Sequence, residues 1–530
     1  MNTVLHLSSM EEYDQGQEYD QSQEYFNTIV HFLKSEECHS MKLSGLEREL
    51  EKKGRELMRI LLQEYLDKLS PNICEQPVRG SDEIERPNAR SHERHIETVF
   101  GTVASDRTGY GNKNVESLHP LDAELNIPPE RYSLELRRRV AENAAKTSFD
   151  ETVDTINKTT GGHIPKRQVE ELTQRAAQDF DTFYETRQQN PNDKAPTGPI
   201  VVITADGKGV VMHQQDLREA TRKAAEKRKN QMQTRLSKGE KKNQKRMATV
   251  AAVYTVDEFV RTPENLVPKD DSKPHKKKGK SPAPEQKRVW ASLEKSAAEV
   301  IESAFSEASH RDPEQEKKWV ALVDGENNQL RILKRMAKKQ GIALTIIVDI
   351  IHVIEYLWKA GRAFYPQSGS GLEQWVQHRL RKILVGKAGL VAGGMCRSAT
   401  LRKFTDKQRE PVDACATYLK NKAPYLKYDR YLANGFPIAT GVIEGACRHL
   451  VKDRMDITGA KWRLTTAEAV LRLRALRSSK DFDEYWNFHE ACEYTRNHQN
   501  QYADGEVPPT KPPQFSSKGC HLKVIKGGKI

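Results

Sequence analysis

The sequence contains no pair of cysteines two residues apart. Its seven cysteines (Cys38, Cys74, Cys396, Cys415, Cys447, Cys492 and Cys520) are scattered, so neither a zinc ribbon nor a disulfide framework is indicated and reduced, cytoplasmic thiols are expected. No apolar run approaches the roughly 18 residues that a membrane helix needs. The first residues, Met1 to Tyr25, are acidic and glutamine-rich where a signal peptide is basic and then apolar. Secretion and membrane spanning are therefore not expected. Aromatic residues are only 7% and apolar residues 36%, against 30% charged. That mixture supplies a packed core and leaves polar stretches outside it.

The chain has 530 residues, which implies several folding units. Lys and Arg number 86 against 74 Asp and Glu, a formal charge of +12, and such a balance suits a polyanionic partner. The excess is concentrated. Residues 214 to 246 hold 12 Lys/Arg against 4 Asp/Glu, and a second basic run includes Lys276, Lys277, Lys278 and Lys280. Each run alone reads equally as a solvated face or linker. Two of them flanking one apolar strand favour nucleic acid.

Residues 1–25, with the repeat DQGQEY and DQSQEY, are expected to be a disordered acidic tail. Residues 26–147 read as a helical and strand-pair region: Leu46, Leu50, Leu57, Leu61 and Leu69 recur at helical spacing, and 95–111 alternates like a strand pair. Residues 148–187 carry helix, turn, helix punctuation. Ser148 and Glu151 have capping-box spacing, Gly161 and Gly162 break the first helix, and Pro165 opens the second. A DNA-reading helix-turn-helix there would present Lys166, Arg167 and Gln168 to base edges and phosphates; the plainer reading is any helical hairpin.

Past a polar linker at 188–199, short apolar runs at 200–203, 320–323 and 342–348 read as central strands of a mixed α/β sheet, with further strands at 210–212 and 248–256. This region, 200–349, is interrupted by the basic stretch 214–246 and a Lys/Pro linker at 263–288. Residues 350–435 read as helical, 436–500 as the remaining core with C-terminal helices, including one capped by Thr465 and Glu468, and 501–530 as an extended tail.

Each of the three main runs ends shortly before an aspartate: Asp206, Asp324 and Asp349. One such residue is an ordinary turn or cap. Three converging at one sheet edge, where α/β folds bind ligands, can hold hard divalent cations. Two ions about 3.5–4 Å apart stabilise attacking and leaving oxygens in phosphodiester displacement. A fourth acid, Glu444, lies in TGVIEGACRHLVKDRM. In a helix Ile443, Ala446, Cys447, Leu450 and Val451 form the buried stripe, and Glu444, Arg448 and Lys452 follow at i, i+4, i+8. A surface ion-pair ladder is the ordinary alternative.

TADGKGV around Asp206, ALVDGENNQL around Asp324, IIVDIIHVIEYLWKAG around Asp349 and GVIEGACRHLVKDRMDITGAKW around Glu444 resemble the transposases of the ISKra family of bacterial insertion sequences, within the Mutator-like DDE transposases. The resemblance spans about residues 95 to 500. It implies a ribonuclease H-like core with a helical insertion between the second and third acids, and a catalytic and metal-binding triad of Asp206, Asp324 and Glu444. Asp349 and His352 match an Asp-x-x-His signature of the group. Strand order alone allows either Asp324 or Asp349 as the second metal ligand; Asp324 is chosen, because Gly325 allows a tight turn while Asp349 leads straight into a helix it can cap. Some relatives carry N-terminal cysteine pairs, which this chain lacks. Trp462 is assigned either to core packing or to stacking on an unpaired base.

The expected function is a DNA transposase that cleaves transposon ends and transfers the strand to target DNA, with two Mg²⁺ or Mn²⁺ ions. Arg448, Lys452, Arg454 and Lys461 are expected to neutralise phosphates. The expected partners are double-stranded DNA, as terminal inverted repeats and target, and a second or further copy of the chain; no membrane is involved, and the location is a bacterial cytoplasm, on the nucleoid. The alternatives are a non-catalytic DNA-binding protein of transposase ancestry and a metal-dependent nuclease without strand transfer.

Overall fold

The computed structural model describes residues 20–70, 72–189, 197–227, 244–267, 281–367 and 369–510. Outside them lie the acidic tail as far as residue 19, most of the 188–199 linker, the middle of the first basic stretch, the lysine run at 276–280 and the tail beyond 510. The chain divides into two compact units. One comprises the described parts of 1–143, 149–172 and 486–530; the other comprises 144–148 and 173–485.

The first unit opens with helix α1, Asp20–Leu33, where disorder was expected as far as Tyr25. The amides of Gln21 and Ser22, orphans of the first helical turn, donate to Glu64 Oε1 at 2.8 and 3.2 Å. That carboxylate sits on α2, Leu43–Leu69, so a distant side chain supplies a cap invisible to local composition. Leu66 and Leu69 at the end of α2 cluster with Ile96 and Val103 of a hairpin. Its strands β1, Asn88–Thr98, and β2, Gly101–Gly111, pair throughout from Asn88↔Gly111 to Thr98↔Gly101.

Helices α3 (Leu134–Ala144), α4 (Phe149–Thr159) and α5 (Lys166–Ala176) follow. Leu136, Val140, Ile156, Val169 and Leu172 bury their apolar stripes together, with Phe149 and Val153 against them. The bend between α4 and α5 requires glycine for a packing reason: a Cβ on Gly161 would lie 2.1 Å from the Phe100 carbonyl oxygen, and one on Gly162 2.7 Å from that of Thr98.

The second unit begins with α6 (Phe180–Gln189) and holds a five-stranded mixed sheet. Its strands are β3 (Ile200–Val211), β4 (Lys245–Val256), β5 (Glu285–Ser292), β6 (Lys318–Val323) and β7 (Leu344–Val348), in the spatial order β5-β4-β3-β6-β7. The β3/β4 and β4/β5 pairs are antiparallel, and β3/β6 and β6/β7 are parallel. Two expectations are corrected. The runs at 200–203 and 210–212 are one continuous strand, so Asp206 is a mid-strand residue. Strand β5 begins inside the expected 263–288 linker, at Glu285, and runs on to Ser292; its last five residues are buried.

Helix α7 (Ala297–Arg311), capped by Ser296 and Glu299, packs on β3 and β4. After α8 (Asn327–Gln340) come α9 (Ile350–Phe364), α10 (Ser370–Leu384), α11 (Ala388–Leu401), α12 (Asp406–Lys422) and α13 (Tyr428–Ala433). These helices share one core with the sheet: Val320, Leu322, Ile347 and Val348 cluster with Val353, Leu357, Leu419 and Leu432. Each such side chain contributes about 1.5–3 kcal/mol of burial, so residues 350–435 are part of the sheet's apolar cover.

Next come α14 (Gly441–Ala446), a π-helical turn at Cys447–Lys452, α15 (Leu464–Ser479) and α16 (Phe482–Asn497). The expected stripe of Ile443, Ala446, Cys447, Leu450 and Val451 is buried. The π turn breaks the α-helical i, i+4, i+8 ladder of Glu444, Arg448 and Lys452, because it takes more residues per turn. Glu468 does not cap α15 with Thr465. It reaches β5 instead, accepting from Ser292 Oγ and Leu293 N, each at 2.7 Å, while Ser479 bonds both backbone groups of Val289. An edge strand is thereby covered, as exposed edges invite pairing with other chains. Among the described residues no helix is long and apolar enough to cross a membrane.

Candidate functional site

The sheet places three aspartates at one level. The parallel β3/β6 pairing runs to Thr204↔Leu322, and the β6/β7 pairing to Val323↔Val348. Carrying each offset forward sets Asp206 beside Asp324, and Asp324 beside Asp349. Asp206 lies past the end of β6 although its own strand continues, because β3 and β4 extend as a two-stranded ribbon in which Asp206 pairs with Val250. The expected C-terminal edge of the parallel strands is therefore where the acids stand.

Asp206 is half-buried. Its Oδ1 accepts from Gly207 N at 2.6 Å and its Oδ2 from the thiol of Cys447 at 3.3 Å. Next to it, the Ala205 carbonyl accepts from Gln329 Nε2 at 2.9 Å, tying α8 to this strand. Asp324 is the first residue beyond β6. Its Oδ1 accepts from Glu326 N at 2.8 Å and its carbonyl from the Tyr418 hydroxyl at 3.1 Å. Gly325 follows at φ +89°, the left-handed region that favours glycine. Glu326 caps α8, accepting from Asn328 N and Gln329 N.

Asp349 differs in kind. It is fully buried and caps α9: Oδ1 accepts from Ile351 N at 2.8 Å, and Oδ2 accepts from the Thr440 hydroxyl. Both oxygens are in use, which leaves Asp324 the freer carboxylate. One turn on, His352 Nδ1 is sealed from solvent and has no hydrogen-bond partner among the described residues.

Glu444 is an exposed residue of α14, and its carboxylate makes no hydrogen bond or ion pair among the described residues. Burial pushes the Asp324 carboxyl up, and the charge of Asp206 adds to this while His352 opposes it. The Glu444 carboxyl is also raised, first by desolvation, then by Asp349, with Glu355 and Asp206 adding and His352 opposing. Asp206 is thus the carboxylate that acts on both other members of the expected triad. Burial followed by the neighbouring Asp206 charge raises the Cys447 thiol strongly, keeping it protonated.

Burial first, with the Asp206 charge adding, raises the carboxyls of Asp324 and Glu444, and carboxylates offer the oxygen ligands that a hard divalent cation takes. The ligand atoms of Asp206, Asp324 and Glu444 do not all lie within 4.8 Å of one another, so they do not form a cage for one ion.

No protein-family model matches this chain, and no curated protein matches it.

The residues expected to meet DNA separate into two groups. In the first unit, Lys166, Arg167 and Gln168 stand at the N-terminal end of α5. Lys166 pairs with Asp150 at 2.8 Å, Arg167 with Glu171 at 3.1 Å, and Gln168 donates to Glu171 at 2.9 Å. The Arg167 side chain is 87% exposed, the freest of the three cationic or amide groups. In the second unit, Arg448, Lys452 and Lys461 are exposed. Arg454 is a correction, and Trp462 takes the core-packing alternative in place of a DNA contact. Arg454 is 2% exposed, donates to the Ala144 carbonyl at 2.9 Å and lies 4.8 Å from the Trp462 ring centre. Trp462 is buried, donates Nε1–H to Met455 O at 3.0 Å and continues the end of β3 through Val211 and His213. Both belong to the core, where a cation over an indole face is a stabilising pair.

Sequence reasoning missed Cys447 and Thr440 as neighbours of the acids. Cys447 follows Glu444 by three residues, a spacing that shares a helix face and could have revealed it. Thr440 carried no signal.

Proposed function

We propose that this chain is a DDE-type DNA transposase, akin to the ISKra transposases of bacterial insertion sequences, acting on double-stranded DNA in a bacterial cytoplasm. The observation that carries the reading is the position of Asp206, level with Asp324 on adjacent parallel strands and hydrogen-bonded to Cys447, three residues after Glu444. The sheet order supports it: an antiparallel β5-β4-β3 half continued by parallel β6 and β7 is the arrangement of ribonuclease H-like cores.

Asp206, Asp324 and Glu444 would hold two Mg²⁺ or Mn²⁺ ions. Such ions supply an activated water and neutralise charge on the attacking and leaving oxygens of a phosphodiester. The protein's own part is to fix these carboxylates on three rigid elements. Exposed Arg448, Lys452 and Lys461 would bind phosphates, while buried Asp349 keeps α9 and the segment before α14 in place through Ile351 and Thr440. His352, between Asp324 and Glu444 in its electrostatic reach, would tune that cluster.

In the first unit α4 and α5 would act as a helix-turn-helix on the terminal repeats. The connection, residues 160–165, is longer than the usual 3–4 residues of that motif, so the support comes from the exposed Arg167 end of α5. Two transposon ends require two active sites, which implies a homodimer or larger assembly on DNA.

The test is cleavage of labelled DNA carrying the ends of the genetic element that encodes the chain. Mg²⁺-dependent cutting at those ends, lost in Glu444→Gln with DNA binding retained, is the expected result. Cutting by Glu444→Gln at the wild-type rate contradicts the reading.

A further inference from the structure

The helix that carries Glu444 also brings a thiol to the sheet. Cys447 is 7% exposed, and its Sγ lies 3.3 Å from Asp206 Oδ2. Asp206 projects from the middle of β3, beyond the last β3/β6 pair, so the parallel sheet does not hold its carboxylate. Apart from the amide of the adjacent Gly207, at 2.6 Å on Oδ1, the Cys447 thiol is its one hydrogen-bond donor among the described residues. The thiol lies in the buried stripe of the α14 segment, alongside Ala446 and Leu450. The thiol is buried while the carboxylate it meets is only half-buried.

We infer that Cys447 is a positioning residue that orients the Asp206 carboxylate for divalent-cation binding. The inference rests on the reading of Asp206 as a metal ligand and adds a partner behind it. A carboxylate free to rotate loses that freedom when a cation binds. One already held by a second group loses less. Groups hydrogen-bonded to metal ligands typically change metal affinity 10–100-fold when removed. A thiol is a weak donor, so the lower end, about tenfold, is expected. One helical turn thus serves two of the acids: it carries Glu444, and its Cys447 holds Asp206.

The test uses the full chain and a direct binding readout, thermal stabilisation by Mg²⁺ or by Ca²⁺, titrated for wild type, Cys447→Ala, Cys447→Ser and Asp206→Asn. Wild type should be stabilised by the cation and Asp206→Asn should not. Cys447→Ala should need about tenfold more cation for half its shift, and Cys447→Ser, which restores an O–H donor, should fall within about threefold of wild type. Loss of melting temperature in both cysteine variants, with an unmoved cation midpoint, marks Cys447 as packing only and overturns the inference while leaving the metal site standing. No cation-dependent stabilisation in wild type overturns both.

Discussion

Asp324 and Asp349 stand side by side across β6 and β7, one residue past Val323 and Val348, yet only Asp349 has both carboxylate oxygens taken by donors, Ile351 N and Thr440 Oγ1. Under the proposed reading they have different work. A capping carboxylate tolerates Asn, which caps about as well, whereas a cation ligand does not tolerate loss of its charge.

Asp349→Asn should therefore stay folded, lose less than about 1 kcal/mol and retain measurable DNA cleavage, while Asp324→Asn should fold and be inactive. Cleavage assays paired with thermal melts decide it. An inactive, well-folded Asp349→Asn beside an active Asp324→Asn moves the second ligand to Asp349.

The raised carboxyl of Asp324 predicts a pH-dependent strain. Burial and the Asp206 charge lift it above its unfolded value, so the folded chain binds more protons than the unfolded chain between the two values. The associated stability is complete below the unfolded value and is lost as pH rises through the folded one. At neutral pH without divalent cations, Asp324→Asn should melt higher than wild type, by about 2 °C, and the gap should close in acid. A lower melting temperature at pH 7 contradicts this electrostatic picture.

Arg167 is expected to read a base edge from the end of α5. Arg167→Ala should relax discrimination between terminal repeats and random DNA by about 1–3 kcal/mol. Equal losses on both DNAs, measured by titration at fixed salt, would reduce Arg167 to a phosphate contact.

The exposed and buried cations of the second unit should behave differently. Replacing Arg448, Lys452 and Lys461 with Ala should weaken binding to all sequences alike and flatten the salt dependence by about one unit of slope per lost contact, with little change in stability. Arg454→Ala should instead destabilise the fold by about 3 kcal/mol, since it removes a buried charged donor from the Ala144 carbonyl and from Trp462. Salt titrations and denaturant melts separate the two outcomes.

What the sequence made legible follows from where the local signal agreed with the tertiary one. The apolar runs at 200–203 and 320–323 lie in strands, as do residues 344–348 of the run that starts at 342, and the stripe from Ile443 to Val451 is buried as its spacing implied. Gly207 and Gly209 disguised the continuity of β3 as a turn; pairing with β4 holds them extended. Strand β5 begins Glu285, Gln286, Lys287, which are exposed and polar, so it merged with the linker before it. Helix α11 lies inside the stretch read as helical; Gly389, Gly393 and Gly394 lower its propensity, while Val391, Ala392 and Met395 are buried and hold it. The π turn after Glu444 and the Thr440 contact to Asp349 arise from packing and left no spacing to read. Between Asp324 and Asp349, strand order offered either acid; the cap that Asp349 was expected to make is present, and the Thr440 contact on its other oxygen was not legible.

The most direct measurement is strand joining. Wild-type protein, Mg²⁺, and labelled DNA ending in the terminal segments of the encoding element are incubated with a supercoiled target plasmid, beside Asp206→Asn, which carries the same shape without the charge. The account predicts Mg²⁺-dependent 3′-end cleavage and covalently joined end–target products from wild type, and end binding without either product from Asp206→Asn. Joined products from Asp206→Asn at the wild-type level would contradict it.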